Sequence, residues 1–256
     1  MSKRIAVLVF PGTNSEEETL RLLRDCGGDA HLVHWSRASL LPKFDAYVLP
    51  GGFAYEDRIR AGAIAAHDEM MDYVIEGARE GKLVLGVCNG AQILLEAGLV
   101  PGTGEVRRPT AAFTRNGPVP HFICTHVWVK LAIDPARSPI TAGLHRNELI
   151  PAWAAHGEGR LAADETHLRE LDQNGHVAFV YAHPDGHVDA SATPNQSALN
   201  AAALVNKEGN VLAIMPHPER DGWTFNHPDR RGRHGILEPS GGAVFFRSFV
   251  AGVHAR

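Results

Sequence analysis

Short apolar runs alternate with segments of helical periodicity in the first part of the chain. Residues 4–10 are rich in β-branched side chains and predict a strand. PGTNSEEETLRLLRDCGG follows, in which a Ser15/Glu18 capping box, leucines at helical spacing and a glycine stop predict a helix. HLVHW, AYVLP and LVLGV predict three more strands, and residues 59–80 predict a helix. This alternation predicts a doubly wound, mainly parallel α/β sheet.

The pattern changes after about Val106. Turn signals at residues 174–175 (NG), 185–186 (DG) and 206–209 (NKEG) separate strand-like runs such as HVAFVYA and NVLAIMP. We therefore expect antiparallel hairpin strands added to the parallel core.

The last part of the chain begins with a polar segment, residues 221–235, that predicts a long loop before a helix near residues 242–250. We interpret the basic cluster of this loop as a solvated face, with contact to a phosphate or a partner as the alternative. The chain has no repeat, and its length suits one domain over residues 1–256.

Charge and cysteine usage narrow the class of protein. Lys and Arg number 25 against 29 Asp and Glu, so the net charge of −4 gives no basic field to attract nucleic acid. The scattered Cys26, Cys88 and Cys124, without a signal peptide, indicate free thiols in a cytoplasmic protein. The longest apolar runs of about five residues are far short of the roughly 20 that cross a bilayer, so no membrane span is expected.

Cys88 is the candidate nucleophile. LVLGVCNGAQILLEAG places it between a buried strand and a helix, flanked by Gly86 and Gly90, as in a nucleophile elbow. The N-terminus of that helix favours the negative charge of a thiolate, and the backbone N–H of Asn89 becomes available to an oxyanion. Most lone cysteines are inert packing, which is our interpretation of Cys26 and Cys124.

A base and its orienting carboxylate are offered by NVLAIMPHPER. His217 and Glu219 are two residues apart, so an extended chain points both side chains to one face. Glu219 can then fix the imidazole tautomer while His217 moves protons.

The glycines of LPGGF could supply the second half of an oxyanion site. Gly51 and Gly52, followed by Phe53, end a predicted strand and let backbone N–H groups turn toward a ligand, although such a pair more often marks an ordinary turn.

No metal or nucleotide motif is found. GAREGKL lacks the spacing of a P-loop, there is no HExxH or paired CxxC, and His183 and His187 are interrupted by Pro184 and Gly186. We therefore predict no metal site and no cofactor in this chain.

Taken together, LPGGF, GVCNGAQIL and MPHPER resemble the class I (triad) glutamine amidotransferases, which have a flavodoxin-like fold. Within that class FPGTNSEEE, GGFAYEDRIRAGAIA, HGEGR and TPNQS are similar to the family of glutaminase subunits of phosphoribosylformylglycinamidine synthase. The family commonly has Cys where Ser15 stands and Gly near Glu56. The resemblance also implies that HGEGR forms a wall of the site.

The resemblance assigns roles to particular residues. Cys88 is implied as the nucleophile, His217 as the general base and acid, and Glu219 as its orienting partner. It places the following residues on the substrate side, where they bind glutamine or its oxyanion: Gly51, Gly52, Phe53, Asn89 and Gln92.

The activity implied is hydrolysis of glutamine through a Cys thioester, with ammonia delivered to a partner for purine biosynthesis. Implied partners are a large ATP-dependent synthetase subunit of the PurL type, which would hold ATP and Mg²⁺, and a small accessory subunit of the PurS type. Alternatives are a subunit of another triad amidotransferase, a γ-glutamyl hydrolase, or a noncatalytic module that keeps the fold.

Overall fold

The computed structural model describes residues 2–117, 119–229 and 237–256. The strands in these residues are β1 (Arg4–Val9), β2 (Asp29–His34), β3 (Ala46–Leu49), β4 (Leu83–Val87), β5 (Ala112–Arg115), β6 (Ile123–Leu131), β7 (Leu149–His156), β8 (Glu158–Ala162), β9 (Val177–Ala182), β10 (Ala201–Val205) and β11 (Val211–Ile214). The α-helices are α1 (Glu16–Asp25), α2 (Glu69–Arg79), α3 (Asn89–Glu96), α4 (Glu165–Gln173) and α5 (Gly241–His254). None of these helices has the length and apolar surface needed to cross a bilayer.

Nine strands form one sheet in the order β2-β1-β3-β4-β11-β10-β9-β6-β7, and β5 pairs with β8 separately. The part from β2 to β11 is parallel throughout. Its central strands are apolar, and β3, β4 and β11 are buried at every position, as expected for strands covered on both faces. The predicted parallel α/β core is confirmed.

The remaining strands of the large sheet, β10, β9, β6 and β7, pair antiparallel, as predicted for the later part of the chain. Residues 206–209 form the predicted turn of the β10–β11 hairpin. The hairpin predicted at residues 174–175 is wrong, because these residues end α4 and lead into β9. Residues 185–186 do turn, but within the long connection from β9 to β10.

Two helix predictions need correction. The first helix begins after Ser15 as expected, but the Ser15 side chain makes no cap. Arg220 donates to both Ser15 Oγ (3.0 Å) and Glu18 Oε1 (2.8 Å), so an ion pair with a distant residue replaces the predicted capping box. The helix predicted over residues 59–80 starts only at Glu69, because Asp68 accepts the N–H of Met70 and caps it there.

The final helix, α5, contains the predicted residues 242–250 and packs against α1 and β7. The structure describes the predicted loop at residues 221–235 only up to residue 229. The described part contains a short 3₁₀ turn, Thr224–Asn226. Much of its basic cluster lies outside the described residues.

The position of α3 is fixed by its contact with the neighbouring strand β3. A Cβ built on Gly90 would lie 1.9 Å from the carbonyl oxygen of Leu49, the last residue of β3. Only a residue without a side chain allows this approach, and the approach sets how closely the start of α3 lies to the strand ends.

We predict that Gly90→Ala destabilises the fold by about 1–3 kcal/mol, because overpacking against backbone atoms cannot relax as a side chain would. Chemical denaturation of the purified protein would measure the loss. Gly117→Ala is the matched control, since its Cβ would meet nothing closer than 3.5 Å. Equal stability of the two variants would contradict this account of the close approach.

Candidate active site

Cys88 lies on a sharp turn between β4 and α3. Its backbone has φ 52° and ψ −107°, and its N–H donates to the carbonyl of Ile214 at 2.8 Å. A Cβ on Gly86 would lie 2.6 Å from the carbonyl oxygen of Gly90, so the elbow needs small residues on both sides of the cysteine. A residue other than glycine at positive φ is strained, and such strain is concentrated at functional sites.

His217 and Glu219 follow the end of β11, the strand that pairs with β4. Glu219 belongs to a 3₁₀ turn, Pro218–Asp221, and its Oε1 is 2.5 Å from Nδ1 of His217. The backbone of His217 exchanges hydrogen bonds of 2.8 and 3.1 Å with Trp153 of β7. Both side chains are almost fully buried, so the carboxylate holds the ring in one orientation.

The sulfur and the imidazole approach each other next to Gly51. A Cβ on that glycine would lie 2.5 Å from Cε1 of His217 and 3.4 Å from Cβ of Cys88, so both side chains lie within one residue's width. Nε2 of His217 has no hydrogen-bond partner among the described residues. This nitrogen is available to the thiol or to a bound substrate. The structure therefore brings the three predicted catalytic residues together.

The local charges favour a protonated imidazole. Burial alone would lower the pKa of His217, but the carboxylate of Glu219 and the negative charge of a Cys88 thiolate outweigh burial and hold this pKa above its usual value. An imidazolium beside a thiolate is the arrangement in which the sulfur is most nucleophilic and the ring can later give up its proton.

Two backbone N–H groups are candidates for binding an oxyanion. The N–H groups of Gly52 and Asn89 have no acceptor among the described residues. The Asn89 side chain has a supporting role, since its Oδ1 accepts from Ala54 N (2.9 Å) and its Nδ2 donates to Gln92 Oε1 (2.9 Å). Gln92 in turn donates to the carbonyl of Glu158 at 2.5 Å. Asn89 and Gln92 thus tie the elbow to the opposite wall.

A cavity of about 310 Å³ opens over the cysteine. The predicted residues that line it are Gly52, Phe53, Cys88, Gln92 and His217, whereas Gly51 lies beneath the His217 ring and Asn89 acts through its hydrogen bonds. The lining residues to which the sequence assigned no individual role are Asn14, Asp57, Phe122, Ala155, His156, Gly157, Glu158 and Arg220. His156 and Glu158 belong to HGEGR, and Asp57 belongs to GGFAYEDRIR. The sequence therefore marked the segments that line the cavity, but it did not show what each of these residues does there.

Asp57 and Glu158 give the cavity an acidic side. Asp57 accepts from Asn89 Nδ2 at 3.0 Å. Burial raises the pKa of Asp57 to about 6, the charge of Glu158 adds to this rise, and the hydrogen bond from Asn89 opposes it. Two carboxylates beside one cavity are suited to bind a cationic group.

His156 is a buried wall residue whose two ring nitrogens have no hydrogen-bond partner among the described residues. Burial lowers the pKa of His156 to about 4, and the positive charge of His217 acts in the same direction. The ring is therefore neutral at physiological pH and offers one donor and one acceptor next to the cavity.

Comparison with known proteins identifies the class. Residues 2–251 match the model of the CobB/CobQ-like glutamine amidotransferase domain, and the chain belongs to this family. The class predicted from the three motifs is confirmed.

Individual relatives are more specific. The chain is 43% identical over 217 residues to a protein of Symbiobacterium thermophilum named phosphoribosylformylglycinamidine synthase subunit PurQ, covering 85% of this chain and 87% of that one. A Methanosarcina mazei protein of the same name is 44% identical over 218 residues, with 85% and 88% covered. In a solved structure of PurLQS from Thermotoga maritima, one chain superposes with a TM-score of 0.74 at 28% identity, covering 97% of this chain and 98% of that chain.

We predict that Glu219→Gln slows alkylation of Cys88 by iodoacetamide by about tenfold or more, because the neutral amide no longer favours the imidazolium that stabilises the thiolate. Peptide mass spectrometry over time would measure the rate at each cysteine. Exposed Cys124 serves as the internal reference, and Glu165→Gln on the surface of α4 is the matched control. An unchanged rate at Cys88 would show that Glu219 has no influence on the sulfur.

Proposed function

We propose that this chain is the glutaminase subunit of a phosphoribosylformylglycinamidine synthase, which releases ammonia from glutamine for a synthetase partner in purine biosynthesis. The observation that carries the proposal is the strained Cys88 elbow beside the buried His217–Glu219 pair at the base of a cavity. The relatives named PurQ and the chain of PurLQS support the choice among amidotransferases.

The proposed reaction begins with attack of the Cys88 thiolate on the side-chain amide carbon of glutamine. The oxygen gains negative charge in the tetrahedral intermediate, where the N–H groups of Gly52 and Asn89 can donate to it. His217 gives its proton to the leaving nitrogen, ammonia departs, and a glutamyl thioester remains. Water, deprotonated by His217, then attacks the thioester, which releases glutamate and regenerates the thiolate beside the imidazolium.

The acidic side of the cavity provides a reason for glutamine as the substrate. When the amide carbon is at the sulfur, the α-ammonium group needs a counter-charge several bonds away. Asp57 and Glu158 line the same cavity as Cys88 and can supply it. The carbonyl oxygen of Ala155, 3.9 Å from the sulfur, and the neutral His156 offer further polar contacts along this wall.

A protein partner follows from the chemistry of the product. Free ammonia becomes mostly ammonium in bulk water and loses its nucleophilicity, so efficient transfer needs a sealed route. Phe53 and Phe122 line the cavity while 46% and 55% exposed, and apolar groups on a rim are suited to burial by a partner. The resemblance to a chain of PurLQS favours a PurL-type synthetase, with ATP and Mg²⁺ bound there and a PurS-type accessory subunit completing the complex.

We predict that Cys88→Ser reduces glutamine-dependent synthesis by the reconstituted complex by about a thousandfold or more, since the hydroxyl is a far weaker nucleophile. Synthesis from added ammonium should be retained, because that reaction bypasses this site. Formation of formylglycinamidine ribonucleotide in the presence of a PurL-type synthetase would be assayed with each nitrogen source.

Cys124→Ser is the matched control, because this thiol is exposed and does not line the cavity. If the Cys88→Ser complex still used glutamine, the nucleophile assignment would fail. If the parent protein hydrolysed glutamine but gave no glutamine-dependent synthesis with any PurL-type synthetase, the chain would be a subunit of another amidotransferase.

A second prediction concerns pH. A carboxyl group with a pKa near 6 is charged above that pH and neutral below it, so its attraction for the α-ammonium group weakens on acidification. We expect the ratio of kcat/KM for parent to that for Asp57→Asn to fall about threefold or more as the pH is lowered from about 7.5 to about 5.5. A pH-independent ratio would remove Asp57 from substrate binding.

A further inference from the structure

Three side chains with metal-ligating atoms converge near Trp153, the residue whose backbone bonds His217. They are His126 in β6, Asp221 at the end of the turn that carries Glu219, and His227 just after the 3₁₀ turn Thr224–Asn226. One ligating atom from each lies within 4.8 Å of the other two. No spacing motif joins them, because they come from separate segments, and the sequence therefore predicted no metal.

Asp221 is the central group of this cluster, which we call the His-Asp-His cluster. Its side chain is fully buried, with Oδ2 2.7 Å from Nε2 of His126 and Oδ1 accepting a hydrogen bond of 2.6 Å from Ser240. A buried carboxylate needs a positive charge or several donors nearby. The orientation by Ser240 resembles the way that outer hydrogen bonds fix a metal-ligating carboxylate.

The two imidazoles pack against each other, and His126 is also held by its contact with Asp221. The rings of His126 and His227 are 5.2 Å apart between centroids, and His126 also packs edge-on against Trp153 at 5.3 Å. His227 is 8% exposed and the His126 side chain 16% exposed, so the cluster is sheltered but reachable from solvent at His126.

We propose that the His-Asp-His cluster is a binding site for a divalent transition-metal ion such as Zn²⁺. Two imidazole nitrogens and one carboxylate oxygen are a ligand set that Zn²⁺ accepts, with bond lengths of about 2.0–2.2 Å and a fourth position filled by water. Tetrahedral ligands at such lengths are about 3.3 Å from one another, so the three atoms need shifts of about an ångström or less each to close around an ion.

His227 is the ligand that must change most. The backbone N–H of Asp229 donates to Nδ1 of His227 at 3.1 Å, which puts the proton of the neutral ring on Nε2 in the ion-free protein. On binding, either the proton moves from Nε2 to Nδ1 and Nε2 coordinates the ion, or the ring leaves the bond from Asp229 and coordinates through Nδ1. In both cases the ring stays neutral and keeps its one proton.

The ion would stabilise the structure behind the triad. Asp221 and Glu219 are on the same turn, and Trp153, which contacts the His126 ring, forms the backbone hydrogen bonds to His217. An ion that joins β6 to this turn fixes the peptide segment from which both catalytic side chains project. The proposed role is structural, since the ligands do not line the substrate cavity.

The experiment uses the full chain with Cys88→Ser, since a thiolate beside His217 could itself bind a soft metal. After treatment with EDTA and its removal, the protein is titrated calorimetrically with ZnCl₂ and spectroscopically with Co²⁺. We expect one equivalent to bind, a visible Co²⁺ spectrum without the charge-transfer absorption of a thiolate ligand, and a higher melting temperature with Zn²⁺ present. Absence of saturable binding, or a spectrum with thiolate ligation alone, would overturn the proposal.

Variants locate the ion. His227→Gln and His126→Gln should each raise the dissociation constant by about tenfold or more. His187→Gln is the matched control, because it removes an exposed imidazole that lies 3.4 Å from a different carboxylate, that of Asp189. Retention of parent affinity by both ligand variants would place the ion elsewhere and reject the site.

A further measurement keeps all three proposed metal ligands, so its result does not depend on whether a substituted protein folds. In the Cys88→Ser protein, Zn²⁺ should protect His126 and His227 from diethyl pyrocarbonate, as mapped by peptide mass spectrometry, while His187 stays reactive. Equal reactivity of His126 and His227 with and without Zn²⁺ would contradict the proposal.

Discussion

The active site depends on the parallel pairing of β4 with β11. In this register Val87 lies beside Ile214, and the carbonyl of Ile214 accepts the N–H of Cys88. Because both strands run in the same direction, they end at the same edge of the sheet. Cys88 directly follows the last residue of β4, and His217 lies three residues after Ile214, the last residue of β11. A slip of the register by one residue would turn either strand over and separate sulfur from imidazole. The two residues are 129 positions apart in the sequence, and this pairing brings them to the same place.

The sequence predicted the parts of the site that have a local cause. An apolar strand followed by small residues around a cysteine requires a sharp turn, and a His-x-Glu pair after a strand must share a face, so Cys88, His217 and Glu219 could be proposed from short segments. Asp57 and Glu158 could not be assigned roles in this way. Asp57 reaches the cavity from an irregular segment and Glu158 from the first residue of β8, and tertiary contacts such as the hydrogen bond from Asn89 to Asp57 set where these segments lie. Periodicity contains no information about such contacts.

The error over residues 59–80 has a similar origin. Composition favoured one long helix, but Tyr55, Glu56, Asp57 and Ile59 have positive φ before or at its predicted start, Gly62 has positive φ inside it, and α2 begins only after Asp68. Residues other than glycine pay about 1–2 kcal/mol for such a conformation. The resemblance already marked this place, since the related family commonly has Gly near Glu56, where φ is 59°. A segment that retains strain beside a substrate cavity, and places Asp57 in its wall, is better explained by the needs of the site than by the stability of the fold.

The displaced capping box shows how closely fold and site are joined. Ser15 and Glu18 are suited to cap α1, yet both bind Arg220, the residue next to Glu219. Capping typically contributes about 1 kcal/mol, and hydrogen bonds to a charged group contribute about 1.5–3 kcal/mol each, so the partly buried guanidinium wins the competition for both side chains. As a consequence the first helix is anchored to the turn that carries the catalytic carboxylate. Arg220 also lines the cavity, so one guanidinium both faces the cavity and fixes the position of the Glu219 turn relative to α1.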